Sequence, residues 1–318
     1  MNRKYPLVSI IIPTYGRIDF LEDAICSAQN QTYKNIEIIV CDDNANNPEI
    51  RKSVADIVKR FPACKHIQNS KNLGGSLNRN EGIKAAKGGL LSFLDDDDTY
   101  EPTRIEKVVK CFQEHEGERI GLIYTWNTFV DSDHIKIGEK KYELPENALF
   151  TQMCGCICST SLWTVPRYVF DEVGMFEDAP CKQDSIMLIK ILGANFKMLL
   201  VKECLTNYRT YLKNKISANY EAHIVGEQLY LEWCKKYYSK ITQEQQKKVE
   251  MSFKEQLMIN LSGTGCWFSA WKEWISLYSM GFGNKKLVSY IPYLLIGYDN
   301  MLRAKDKCRS FLKTNHRH

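Results

Sequence analysis

No stretch at the start of this 318-residue sequence reads as an export signal: MNRKYPLVSIIIPTYGR holds one brief apolar run closed by Pro13, without the extended apolar region and small-residue cleavage site of a leader. The twelve cysteines include no CxxC pair, and no matching pair of histidines accompanies them, so the common structural zinc sites are set aside. They are spread through a long chain rather than crowded into a short secreted one, which predicts reduced thiols in cytoplasm. Cys154, Cys156 and Cys158 alternate, and the expectation is small buried residues on one face of a strand. The apolar segment 287–298 is too short to span a bilayer and contains Pro292. A basic nucleic-acid footprint is also missing from the main part of the chain. Residues 282–318 carry eight basic side chains against Asp299 and Asp306, so the rest of a chain of formal charge +5 is near neutral. Finally, neither GxxxxGK[ST] nor GxGxxG follows the first apolar run, which excludes the P-loop and dinucleotide-binding signatures.

With 44% hydrophobic and 25% charged residues the composition is that of a globular protein. β-Branched runs at 7–12 and 36–40, a short one at 65–68, and the run ending at Asp95 read as strands. Helical spacing at 18–29, 48–61 and 76–87 separates them. Strands alternating with helices predict an α/β fold with a parallel nucleotide-binding sheet. Polar residues stand repeatedly at the strands' carboxyl ends: PTYGR after the first, CDDN after the second, and Asp95, Asp96, Asp97 and Asp98 after the fourth. In open α/β sheets ligands bind beyond that edge. Four adjacent carboxylates repel one another and favour a hard divalent cation such as Mg²⁺ or Mn²⁺. Taken alone, they read equally well as a solvated acidic turn with Pro102 in a first helical turn.

The ordered set VSIIIPTYGR (8–17), EIIVCDDN (37–44), NLGGSLNRNEGIKAAKGG (72–89), FLDDDDTYEPTRIE (93–106), RYVFDEVGMFED (167–178), QDSIMLIK (183–190) and Tyr208-Arg209 resembles the inverting glycosyltransferases of the GT2 family. The resemblance covers roughly the first two-thirds of the chain. It implies a GT-A fold, a mostly parallel central sheet with helices on both faces, in residues 1–220, followed by a helical carboxyl-terminal region in 221–318. It also places the base of a nucleotide sugar beside Pro13, Thr14, Tyr15 and Asp43. Chemistry agrees, since a carboxylate accepts the imide N–H of uracil and Tyr15 can lie against the ring. One of Asp42 and Asp43 is expected to do no more than cap the CDDN turn. Arg79 is assigned to phosphate, with Glu81 or solvent as its other partners.

Asp95 to Asp97 match the family's DxD element, which assigns Asp97 to Mn²⁺ or Mg²⁺ and Asp95 and Asp96 to ribose or a metal-bound water. Asp98 is expected to cap the following helix. Asp184 matches the acid of the family's ED or QD element and is the implied base for an acceptor hydroxyl. An N-cap on a helix over 185–191 is its bland alternative. Many relatives have His two residues after the Tyr-Arg pair, where this chain has Tyr211.

Beyond residue 220 the pattern is helical and aromatic, through Leu229, Tyr230, Trp233, Trp267, Phe268, Trp271, Trp274 and Tyr278, a stripe that predicts packing. Segment 287–298, flanked by Lys285, Lys286 and the basic tail, suits an anionic membrane surface or a core helix. The expectation is therefore a cytoplasmic, metal-dependent enzyme, peripheral on the inner membrane face. It would pass a sugar from a nucleotide donor, a UDP sugar, to a saccharide that is lipid-linked, in surface-polysaccharide synthesis, with no nucleic-acid partner. The rival classes are a sugar nucleotidyltransferase and a non-catalytic carbohydrate-binding module.

Overall fold

The computed structural model describes residues 6–210 and 219–296. The chain divides into two compact units, 1–215 and 216–318. The first is built on a nine-stranded sheet in the order β3-β2-β1-β4-β8-β6-β9-β5, with β7 paired to β6. Its elements run β1 (Val8–Thr14), α1 (Leu21–Gln29), β2 (Ile36–Asp42), α2 (Pro48–Lys59), β3 (Cys64–Gln68), α3 (Gly75–Ala85), β4 (Leu90–Phe93) and β5 (Thr99–Tyr100). They continue with α4 (Arg104–Glu114), β6 (Ile120–Val130), β7 (Lys136–Lys140), α5 (Ala148–Cys154), β8 (Trp163–Pro166), α6 (Arg167–Val173), α7 (Gln183–Gly193) and β9 (Lys197–Arg209). β1 to β4 are mutually parallel, β8 runs against β4 and β6, and β9 is parallel to β6. The α/β class expected from the sequence is therefore present.

The β1, β2 and β4 runs are apolar throughout because both faces of the sheet are covered. Alternate residues divide between two cores. Ile11, Ile39, Leu91 and Phe93 join Met187 and Leu188 of α7 on one face, while Val8, Ile10, Ile12 and Leu90 meet Ala24 and Ile25 of α1 on the other. The parallel register pairs Thr14 with Asp42 and Ile11 with Phe93, so PTYGR, CDDN and the aspartate run all emerge along one edge. Helix α3 reaches that edge by lying close on β1 and β2 at Gly82, where an added Cβ would stand 2.4 Å from Ile11 Cγ2 and 3.0 Å from Cys41 Sγ. Gly82→Ala is expected to destabilise the fold by about 1–3 kcal/mol, read as a lowered urea midpoint with unchanged slope. An unchanged midpoint would show that the helix can lift without cost.

The alternating cysteines are not on a strand. Cys154 ends α5, and Cys156 and Cys158 follow in irregular backbone, the first exposed and the second buried. Gln152 is the cause: its Oε1 accepts the Ile157 N–H at 2.9 Å, capturing a donor that a strand ladder would need.

The second unit contains α8 (Tyr220–Lys235), α9 (Gln243–Gly263), α10 (Trp267–Ser279) and α11 (Asn284–Ile296), which contains Pro292. Thr242 opens α9 with a full capping box to Gln245. Met258, Ala270, Leu277, Leu287 and Leu294 form its core, against which Trp271 and Trp274 pack. The packing role expected of the aromatic stripe fails at Phe268, 88% exposed, whereas Tyr278, though 59% exposed, stacks on Trp274 at 6.0 Å. No described helix is long and apolar enough to cross a membrane.

Candidate active site

Beyond β4 the backbone folds into a turn closed by Asp98 N–H to Asp95 O at 3.1 Å, which divides the four carboxylates among three partners. Asp95 takes Arg79 Nη2 at 2.6 Å. Asp96 and Asp97 share a single cation: Arg17 donates Nη2 to Asp96 Oδ1 at 2.6 Å and Nη1 to Asp97 Oδ2 at 2.8 Å. Asp98 turns inward, buried, and accepts the backbone N–H of Arg209 at 3.0 Å while its Oδ2 has no partner. It therefore ties the acidic run to the end of β9. It does not cap α4, whose N-cap, Thr103, has no side-chain hydrogen bond.

Burial pushes Asp96 up from the usual carboxylate range against the opposing pull of Arg17 and the Thr14 hydroxyl. Burial, resisted by Arg17 and reinforced by Asp95 and Asp96, carries Asp97 up to about 6. Asp98 lies well above its ordinary value, through burial and then the charge of Asp97.

Pro13 and Thr14 end β1, and Tyr15 follows with half its surface exposed and its hydroxyl accepting from Asn46 Nδ2 at 3.2 Å. Asp42 is the turn-capping member of its pair, accepting the Asn44 N–H at 2.9 Å. Asp43 is buried and takes N–H donors from Leu73 at 2.9 Å, Gly74 at 2.9 Å and Asn69 Nδ2 at 2.8 Å. It thereby pins the 72–74 turn ahead of α3 in a fixed position beside Tyr15's strand. Arg79, also buried, uses its fork on Asp95 and on Gly75 O, and neither Glu81 nor solvent is its main partner.

Asp184 stands half-buried in the first turn of α7 rather than at its N-cap, which is Lys182 in a left-handed conformation at φ 62°. Its Oδ1 accepts the Ser185 N–H at 2.7 Å. Burial raises its pKa; Ser185, Arg79 and Lys182 pull against that, and Asp95 adds to it. Asp184 thus shares one electrostatic environment with the Arg79–Asp95 pair. Tyr208 lies within the same field, its hydroxyl raised by burial and then by Asp98, Asp95, Asp97 and Asp184. Among residues not singled out as site members from the sequence, Arg17 belongs here. Arg17 stood in view in PTYGR, but a loop arginine carries no sign of which acids it will meet. Tyr211 and the basic residues from Arg303 to Arg317 lie outside the described residues.

The family model for glycosyl transferase family 2 matches residues 9–173, more than half of the chain. The chain belongs to that family. Among its relatives, an uncharacterized glycosyltransferase of Methanocaldococcus jannaschii is 27% identical over 231 residues, covering 71% of this chain and 77% of the relative. The Escherichia coli UDP-Glc:alpha-D-GlcNAc-diphosphoundecaprenol beta-1,3-glucosyltransferase WfaP is 30% identical over 223 residues, 67% of this chain and 80% of WfaP. Three longer Rickettsia relatives, 32–34% identical, are spanned over only about a third of their length. Two solved structures share the fold at TM-score 0.56. Staphylococcus aureus TarS 1–349 in complex with UDP-GlcNAc is 15% identical and covers 85% of this chain and 89% of its own. The Pyrobaculum calidifontis mannosyltransferase PcManGT, in complex with GDP-Man and Mn²⁺, is 14% identical and covers 92% of this chain and 83% of its own. The architecture of this family 2 glycosyltransferase is accordingly GT-A.

Among the described residues no three His, Cys, Asp or Glu side chains cluster as a ready-made metal cage. The donor chemistry nevertheless fits Mg²⁺ or Mn²⁺. Asp96 and Asp97 converge on one cation, and Mg²⁺ is usually held by one or two carboxylates together with substrate phosphates and water.

Proposed function

We propose that this enzyme transfers a sugar from a UDP sugar to a saccharide hydroxyl with inversion, assisted by Mn²⁺ or Mg²⁺, and that Asp184 is its base. The observation carrying this is the meeting, at one sheet edge, of the exposed Tyr15, the paired carboxylates of Asp96 and Asp97, and a separate acid, Asp184, whose environment raises its pKa. Pro13, Thr14 and Tyr15 border the base, with Asp43 a fixed carboxylate at its edge. Arg79 and Asp95 flank the diphosphate and ribose, and Asp97, with Asp96, would hold the metal. The metal's chemistry is to neutralise charge on the departing nucleoside diphosphate. A raised carboxylate suits a base that accepts the acceptor's proton as the hydroxyl attacks the anomeric carbon. The nucleotides in the TarS and PcManGT complexes support the donor class, and WfaP's activity supports a diphospholipid-linked acceptor in polysaccharide synthesis.

Calorimetric titration of UDP, GDP and ADP with and without Mn²⁺ tests the donor: UDP should bind preferentially and need metal. UDP release on addition of donor sugars and membrane lipid extract tests the transfer. Release of pyrophosphate instead would establish a nucleotidyltransferase, a reading the PTYGR turn disfavours by offering no Gly-rich basic loop after β1.

Such an acceptor would be met at the inner face of the cell membrane, and the second unit has a surface suited to it. On α10, Phe268 and Ile275 point away from buried Ala270 and Leu277, and on α11 Val288 and Leu295, 59% and 62% exposed, point away from buried Leu287 and Leu294. Exposed Lys272 and Lys285 lie on the same two helices, while Lys286 is paired with Glu255 at 2.6 Å. Apolar rows with cations on the same helices match an anionic lipid surface. The double variant Phe268→Ser/Ile275→Ser is expected to lose about ten-fold or more of its partition onto phosphatidylglycerol vesicles, while keeping UDP affinity. Vesicle binding unchanged by the substitutions would remove the proposal, as would a wild-type dimer in sedimentation that the substitutions dissolve.

A further inference from the structure

Asp96 and Asp97 present their oxygens to a position that a cation already holds. The Arg17 fork spans both carboxylates, one N–H to each, at 2.6 and 2.8 Å. A guanidinium and a divalent ion compete for the space between the same two carboxylates, because two cations held that close repel. Arg17 is the solvent-facing member of the cluster: it is 42% exposed, whereas Asp96 is 4% exposed, so its long side chain can swing outward while the backbone stays held by the Gly16 N–H to Asn44 Oδ1 at 2.8 Å. A second destination for it is a diphosphate, whose oxygens match the planar fork as well as a carboxylate does.

Charge decides the order of events. Two ionised carboxylates and one arginine leave this cluster at net −1, and a divalent ion added to it without nucleotide leaves +1 with two cations crowded together. A diphosphate supplies the missing negative charge and gives both cations partners.

We infer that Arg17 is a resident counter-cation that competes with the divalent metal for Asp96 and Asp97 and yields the pair only when the nucleotide's diphosphate arrives, so that metal and nucleotide bind as a coupled pair. The inference rests on the metal-dependent reading above and adds to it the residue that sets metal affinity. It makes Arg17 a positioning residue for the metal. Coupling of this kind is reciprocal: UDP tightens metal by the factor by which metal tightens UDP.

The test is Mn²⁺ binding to the full chain, followed by the electron paramagnetic resonance signal of free Mn²⁺, with and without UDP. Wild type, Arg17→Gln and Arg17→Lys are compared. Without UDP, Arg17→Gln should bind Mn²⁺ about ten-fold more tightly than wild type, and Arg17→Lys should stay near wild type because it keeps the charge. UDP should then tighten Mn²⁺ on wild type by about ten-fold or more and on Arg17→Gln by much less. A nucleotide-free Arg17→Gln affinity equal to or below that of wild type overturns the inference alone, provided UDP-dependent Mn²⁺ binding persists in wild type. Absence of Mn²⁺ binding to every protein, even with UDP, overturns the metal-dependent reading and the inference with it.

Discussion

Asp184→Asn is expected to lower turnover by about 10²–10⁴-fold while leaving UDP affinity within a factor of about two, the range set by the loss of a positioned general base. The asparagine keeps the shape at the start of α7 and an oxygen for the Ser185 N–H, so folding is preserved and the missing property is proton acceptance. The pH profile separates a base from a merely structural acid. Burial raises the folded pKa of Asp184, so its active carboxylate form is lost as pH falls through a value above the ordinary range. Measured at saturating Mn²⁺, which suppresses the titration of Asp97, wild-type kcat should therefore decline on an acidic limb displaced upward, and that limb should vanish from the residual activity of the variant. Full turnover in Asp184→Asn would remove this assignment and favour a binding module.

Asp97→Asn is expected to abolish Mn²⁺-dependent UDP binding in calorimetry and to reduce transfer by several kcal/mol of transition-state stabilisation, about 10²-fold or more, if the metal bridges to the leaving diphosphate through this acid. Its neighbour supplies the contrast. Asp98 faces β9 and accepts the Arg209 N–H, so Asp98→Asn should cost stability while sparing metal-dependent UDP affinity. Equal losses in both variants would mean that the aspartate turn acts as one structural unit, and the metal assignment to Asp97 would fall.

How much could be read in advance differs along the chain for physical reasons. β1, β2 and β4 were legible because strands buried on both faces write themselves as unbroken apolar runs. The acidic run, which alone reads equally well as a solvated turn, stood out only through its place at a strand's carboxyl end within the ordered set of family motifs. The individual duties of those acids were not legible. Asp98 lies next to Asp97 in sequence yet points into the protein to reach β9, a contact 111 residues away. Arg79 and Arg17 likewise find acids 16 and 79–80 residues distant, and no local pattern encodes such pairings. The cysteine alternation misled for the opposite reason: period two was present, but a single side chain, Gln152, took the hydrogen bond that a strand would have needed. The distinction between packed and exposed aromatics on α10 also depends on what covers each face, which periodicity does not contain.

The reversed strand β8 has a consequence for anyone wishing to recombine this enzyme with its relatives. It separates the parallel strands β1 to β4 from the segment that carries Asp184, and it pairs with β4 through the short register Leu90↔Pro166, Leu91↔Val165 and Ser92↔Thr164. The hydroxyls of Ser92 and Thr164 meet there at 2.6 Å. A chimera joined at that seam would have to keep far more than this register, because Asn80 bonds the Phe176 backbone, Arg167 donates to Gly88 O and Ala86 O, and Asp98 holds the Arg209 N–H across the same divide.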